Sequence, residues 1–348
     1  MYRVLSPSVF PPSARPFRIV SCIFRSKVSV LLAVVLAAAI SPGYGASDPS
    51  YPQKPVRIIV PYAAGGSTDA IARLVAKELT DELGQSFFIE NKPGAGGVIA
   101  HDLVSKAATD GSTLLFSAAG PLTVTPHAYP KLPYDPVDDL VRVKLIATAP
   151  LLLVVNPKVP AKNVLDLIAL AKQQPGKMSY GSFGYGSAAH LAGEMFKLRQ
   201  QLDILHVPFR GSAPALTGLI GGDIDMMFDV LVTALPQVQA GNLRALAITS
   251  DKRSTLAPDI PTLAEAGVPD VEASTWFGLL ARTGTPSTII ERLSSALDRS
   301  LAKSEFRSVL TAQGAEVAGG TPEQFNSFFR AEFDKWGGVV KDAGVKVQ

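Results

Sequence analysis

Nine residues from Pro61 to Asp69, Pro-Tyr-Ala-Ala-Gly-Gly-Ser-Thr-Asp, carry the most legible chemistry in the chain. Two adjacent glycines let a backbone approach a bound group closely, and Ser67, Thr68 and Asp69 are residue types that cap helix starts. A strand-to-helix turn of this composition points unpaired N–H groups and the positive end of a helix dipole at one spot. That spot suits a phosphate or a carboxylate. Tyr62, Ala64, Gly65, Gly66, Ser67, Thr68 and Asp69 are therefore candidate ligand-binding residues, although the same turn alone also reads as an ordinary capped helix start.

A second loop, Gly181 to His190, repeats the pattern and adds Ser182, Gly186, Ser187, Ala188 and His190 to the candidates. Within it Gly184 to Ala189 fits G-x-G-x-x-A, so a nicotinamide-dependent oxidoreductase is the alternative reading. The acid that should end the next strand and meet a ribose is missing: Asp203 begins that strand and Arg210 follows its end. Arg210 is placed to pair a second carboxylate, and Asp229, at the carboxyl end of a strand, to accept from a ligand amine or hydroxyl. Asp223 and Asp225 alternate onto the face of Asp229 but read as a turn and a solvated edge rather than a cation site. No G-x-S-x-G elbow occurs, and His101, His127, His190 and His206 lack metal-ligand spacing. No catalytic residue, metal or cofactor is assigned, and the chain reads as a binder rather than an enzyme.

The elements that position these loops follow from periodicity. Val56 to Val60 is an apolar, β-branched run, and Ile71, Leu74, Val75, Leu79 and Leu83 then recur at helical spacing. Strands over 86–90 and 113–117, with a helix over 98–107 between them, continue the alternation that defines a parallel sheet covered on both faces. Ligands in such sheets sit at the carboxyl ends of the strands, which adds Ser117 and Ala119 to the candidates. Residues 144–155 are a long apolar strand interrupted at Pro150, read as an edge or crossover segment. A second set of strands and helices follows over 164–249, and 272–281 is the return strand. A helix from Pro286 carries Ile290, Leu293, Leu297 and Leu301 on one face. The last helix opens with a capping box at Thr321 to Gln324 and a core stripe of Phe325, Phe328, Phe329 and Trp336. Two crossings between two α/β lobes describe a hinged receptor that closes on a small ligand.

Length and composition agree. The 348 residues are 47% hydrophobic and 18% charged, as in a globular chain. Residues 1–46 hold five basic residues and no acid around an apolar core at 28–40, which reads as a signal peptide. Removing them takes the formal charge from +3 to −2, so nothing points to nucleic acid. Cys22 lies in that segment, which leaves the mature chain without a thiol.

Together, Pro61–Asp69, Glu90 to Gly97, Tyr180-Gly181-Ser182 with Gly186 to Leu191, and Gly221-Gly222-Asp223 closely resemble the periplasmic receptors of tripartite tricarboxylate transporters, the Bug family. The likeness runs from Tyr51 to about Gly344. It implies an α/β, two-domain Venus-flytrap fold, each lobe a mostly parallel sheet flanked by helices. Domain I would comprise 47–147 and 273–348, and domain II 148–272. It also implies a periplasmic monomer that binds a small di- or tricarboxylate, acidic amino acid or aromatic acid between the two loops. A large and a small integral membrane subunit are the implied partners, and a sensor role is a variant of the same reading. Where the family often has Asn after Phe-Asp, this chain has Val230, which implies a less polar ligand.

Overall fold

A computed structural model of the chain describes residues 51–342. The signal-peptide reading and Cys22 lie outside the described residues. The β-branched run becomes β1 (Val56–Val60), paired in parallel with β2 (Phe87–Asn91) and β3 (Thr113–Ala118). Helices α1 (Ser67–Leu83) and α2 (Val98–Ser105) cross between these strands, and the short α3 (Ala119–Thr123) and α4 (Thr125–Ala128) follow. Parallel strands require such crossovers, and helices on both faces explain why β1 and β3 are apolar without alternation.

The long strand β4 (Leu140–Val155) belongs to both halves of the sheet. Its residues from Leu140 to Pro150 pair with β9 (Ser274–Arg282), and Leu151 to Val155 pair with β7 (Met226–Val230) and β8 (Arg244–Ile248). The edge reading of this strand is corrected: it is central and runs through Pro150. Proline is tolerated there because the partners change at that point, and the next amide, Leu151 N–H, donates to Thr249 Oγ1 at 2.9 Å.

The second half contains α5 (Val164–Gln173), β5 (Ser179–Ser182), α6 (Ala188–Gln200), β6 (Leu205–Pro208), α7 (Ser212–Gly221) and α8 (Leu231–Gln239), with β5 parallel to β6 and β7. Asp223 and Asp225 precede β7 rather than lying on it, and Asp225 Oδ2 accepts from Ser179 N–H at 2.8 Å. The chain ends with α9 (Ser287–Ala302), α10 (Ser304–Ala312), β10 (Glu316–Val317) and α11 (Pro322–Asp342).

The C-terminal helices cover the first half. Ile290, Leu293, Leu297 and Leu301 are buried, as their spacing requires. The capping box forms, with Thr321 N–H donating to Gln324 Oε1 at 2.8 Å and Gln324 N–H to Thr321 Oγ1 at 3.2 Å. Phe325 and Phe329 enter the core, where Phe325 meets Trp276 edge to face at 5.6 Å. Lys144, buried on β4, donates to Asp298 of α9 at 2.7 Å and to the Gly320 carbonyl, so one ammonium joins three segments.

Gly278 on β9 leaves the space that the Phe325 ring fills, and a β-carbon there would overlap that ring. Gly278→Ala should cost about 1–3 kcal/mol. Calorimetry would read this as a lower melting temperature, and an unchanged value would mean that Phe325 does not pack as described.

Candidate functional site

At the end of β1 the chain turns through Gly65, whose φ of +80° requires glycine, and enters α1 at Gly66. The N-cap is Gly66, with no side chain capping the helix. This corrects the expectation that Ser67, Thr68 or Asp69 would serve as cap. Ser67 and Thr68 are instead buried in the first turn, while Ala64 and Gly65 are exposed at the tip of the loop.

Asp69 holds this loop in place. Its Oδ2 accepts from Gly65 N–H and Arg73 Nε, both at 2.9 Å, and its Oδ1 from Arg73 Nη2 at 3.0 Å and Asn91 Nδ2 at 2.9 Å. Asn91 also donates to the Tyr62 carbonyl at 3.0 Å. Burial pushes the Asp69 carboxyl up, but these hydrogen bonds outweigh it and hold the group below its usual range. With both oxygens engaged, Asp69 positions the turn rather than presenting a charge to a ligand.

Directly opposite lies the start of α7. Its N-cap, Gly211, has φ +143°, and again no side chain caps the helix. A β-carbon on Gly66 would lie 3.5 Å from Ser212 N and 3.6 Å from Ala213 N. Ala63 N–H donates to the Arg210 carbonyl at 3.0 Å, closing the seam beside this gap. Two helix starts without side-chain caps therefore face each other, one from each half of the sheet. Gly211, Ser212 and Ala213 were not among the sequence candidates, although Gly211-Ser212 repeats the Gly66-Ser67 signal at the head of a helix.

The loop from Ser182 to His190 is built differently. Ser187 Oγ caps α6 by accepting from His190 N–H at 3.2 Å, and His190 Nδ1 accepts from Gly186 N–H at 3.2 Å. Gly184 N–H donates to Ser182 Oγ at 3.1 Å, and Ser187 N–H to the Gly184 carbonyl at 3.2 Å. These amides are satisfied within the loop. A β-carbon on Gly186 would come within 2.7 Å of Thr125 Oγ1, and one on Gly120 within 2.5 Å of the Gly186 carbonyl oxygen. With Gly186 packed on Thr125 and Gly120 there is no room here for a pyrophosphate, which removes the physical basis of the dinucleotide reading. Ala188 is buried in the first turn, and Ala119 heads α3 beside the Gly186 contact.

Other candidates serve the scaffold. Ser117 Oγ lies 3.1 Å from His101 Nε2, whose Nδ1 lies 2.8 Å from the Gly97 carbonyl. That carbonyl accepts from Nδ1–H, so Nε2 accepts from the serine hydroxyl. Ser182 Oγ is 2.7 Å from His206 Nε2, and the rings of His190 and His206 stack at 4.2 Å. Asp229 is fully buried, accepting from Ser212 Oγ at 2.7 Å and Thr233 Oγ1 at 2.8 Å. It steadies the start of α7 from below, and burial without a cation pushes its carboxyl up to about 7. Val230, the N-cap of α8, is buried and has no side-chain donor or acceptor. Among the described residues no group of three or more His, Cys, Asp or Glu could hold a metal ion.

A cavity of about 350 Å³ is bounded by Tyr62 of the first loop, the Pro93 to Gly97 loop, Tyr185 of the second loop and Arg210. It touches both loops singled out in the sequence. Over residues 71–345 the chain matches the Tripartite tricarboxylate transporter family receptor. The chain belongs to that family. Protein BugT of Bordetella pertussis (strain Tohama I) is 40% identical over 321 residues, covering 91% of this chain and 98% of the relative. The structure of R. palustris Rpa4515 with adipate is 38% identical with a TM-score of 0.83, covering 84% of this chain and 98% of that one. MatC (Rpa3494) from Rhodopseudomonas palustris with bound malate is 34% identical with a TM-score of 0.80, covering 83% and 100%. The fold is the two-lobed α/β fold of periplasmic binding proteins.

Burial holds His101 and His190 near pKa 4 and His206 near 3, against an ordinary 6.5, and neighbouring His190 and Lys197 lower His206 further. Their folded values lie below the unfolded one, so their stabilisation is complete above pH 6.5 and is lost as the pH falls toward 4. Asp229 acts oppositely: its contribution is present below pH 3.8 and is lost as the pH rises through about 7. Three imidazoles against one carboxyl should lower the melting temperature between pH 6.5 and 4, with a steeper fall in Asp229→Asn. A melting series in which Asp229→Asn leaves the slope unchanged would refute this assignment.

Proposed function

We propose that this protein is an extracytoplasmic solute receptor that binds a small organic carboxylate reversibly, without converting it, and delivers it to the integral membrane subunits of a tripartite transporter. The observation that carries the reading is the convergence of two helix starts without side-chain caps, at Gly66 and Gly211, across the seam between the lobes. Each supplies partial positive charge and outward N–H groups, and an anion gains up to about 2 kcal/mol at one such end when partly buried. A carboxylate taken up as the two starts move apart, since the present gap is only one methyl group wide, would touch both lobes and so favour closure around it over the open arrangement. The lobes divide near 147/148 and 272/273, close to where β4 changes partners and just before β9 begins. Ser67, Thr68 and Ala188 lie in the first turns that surround the ligand, and Asp69, His190 and Asp229 hold the loops in place. Family membership and the adipate and malate named for two similar structures support the carboxylate class and a periplasmic location.

Gly66 has φ −85°, a conformation open to alanine, and an added methyl would fill the gap between the helix starts. Gly66→Ala should fold normally and lose at least about tenfold in carboxylate affinity by calorimetric titration. Full affinity in a folded Gly66→Ala protein would place the anion elsewhere.

A further inference from the structure

Outside the paired helix starts the two halves of the sheet also meet through a small apolar cluster, separate from the larger cores. Its buried members are Val124, Ala128, Leu191, Trp336 and Val340. Four of them belong to the first half. Val124 and Ala128 lie at the two ends of α4, and Trp336 and Val340 lie near the end of α11. Both segments are anchored in the core around Trp276, through Leu122 of α3 and through Phe325 and Phe329 of α11. His127 fastens them together: its Nε2–H donates to the Phe333 carbonyl at 3.0 Å, and its ring meets the Phe333 ring at 4.3 Å. The fifth member comes from the other half. Leu191 is 1% exposed on α6, a helix whose Phe196 stands edge-on to Phe228 of β7 at 5.8 Å.

The place of Leu191 on α6 links this cluster to the cleft. Its N–H donates to the Ser187 carbonyl at 3.1 Å, so it stands one turn beyond the loop whose Gly186 packs on Thr125. Thr125 in turn lies between Val124 and Ala128. Because α6 is one continuous helix, withdrawing Gly186 from Thr125 also withdraws Leu191 and opens the cluster in which Trp336 is buried. Burial of one leucine side chain is worth a factor of roughly 10–100 in such an equilibrium. We propose that Leu191 and the socket of Val124, Ala128, Trp336 and Val340 form a closure latch, an apolar contact that stabilises the closed lobes and so raises affinity from outside the paired helix starts. A ligand's apparent affinity scales with the population of the competent arrangement, so the latch acts on every acid alike. The proposal rests on the receptor function above and adds an affinity-determining contact to it.

Calorimetric titration of the purified protein with adipate, malate, citrate and benzoate tests it, with tryptophan emission read on the same samples. Leu191→Ala, checked for an unchanged fold by melting, should weaken every acid that binds by the same factor, about tenfold. Leu191→Met, which nearly conserves volume, should restore the affinity. The chain has two tryptophans, and Trp276 lies in the core of the first half. Saturating acid should therefore shift the wild-type emission to shorter wavelength and protect it from acrylamide, and Trp336→Phe should abolish both effects. Affinity undiminished in a folded Leu191→Ala protein, or diminished for one acid and not another, would overturn the latch. So would an emission that saturating acid leaves unchanged, because Trp336 would then stay buried when the lobes part. Binding of none of the four acids would instead overturn the receptor function itself.

Discussion

One strand, β4, belongs to both halves of the sheet, and that sharing sets the position of every turn at the cleft. Its sixteen residues pair with β9 along one stretch and with β7 and β8 along the next. Backbone hydrogen bonds therefore fix the two halves to one continuous ladder, and each half directs the carboxyl ends of its parallel strands toward the other. The burial of Lys144 on this strand fits the same role. An ammonium removed from water is costly unless well paired, and here it is paired by Asp298 and Gly320, which fastens the C-terminal segment to the shared strand.

Facing turns alone would not make a binding site, because helix amides can be satisfied locally. The chain uses both possibilities. At α6 the loop closes on itself through Ser182, Ser187 and His190, and its glycines serve close packing against Thr125 and Gly120. At α1 and α7 glycine takes the cap position, so no hydroxyl or carboxamide competes with an incoming anion. The cost of leaving donors open is borne by rigid surroundings: Asp69 ties down one turn and Asp229, through Ser212, the other. In the proposed site such an arrangement would meet charge with backbone dipoles instead of an arginine, and dipoles cost less to desolvate than a full cation.

Buried titratable groups near the cleft contribute order more than net stability. His101 and His206 accept from, or share protons with, hydroxyls of Ser117 and Ser182 at the ends of β3 and β5. A neutral imidazole can satisfy a buried hydroxyl and a carbonyl together, at lower desolvation cost than a charged residue. Asp229 carries the larger penalty, since two hydroxyls and a backbone amide offset only part of its burial. What it provides is a single conformation for the start of α7.

The sequence by itself determined the local elements and the family. Hydrophobic periodicity marked β1, α1, α9 and α11, the Thr321 capping box formed as its residue types require, and the glycine-rich turns fell at strand ends. These are short-range consequences of side-chain shape and backbone freedom, which any stretch of chain carries with it. Tertiary structure decided which turns face each other and which donors stay open. Ser187 and Ser67 occupy similar sequence contexts, yet Ser187 Oγ caps its helix and Ser67 lies inside the first turn after a glycine cap. Asp69 looked like a cap or ligand contact, but its partners Arg73 and Asn91 make it a brace. Gly211 and Ser212 gained importance only because β4 brings α7 opposite α1, with nearly 150 residues between them in the chain. Such pairings depend on long-range sheet register, which no local pattern encodes.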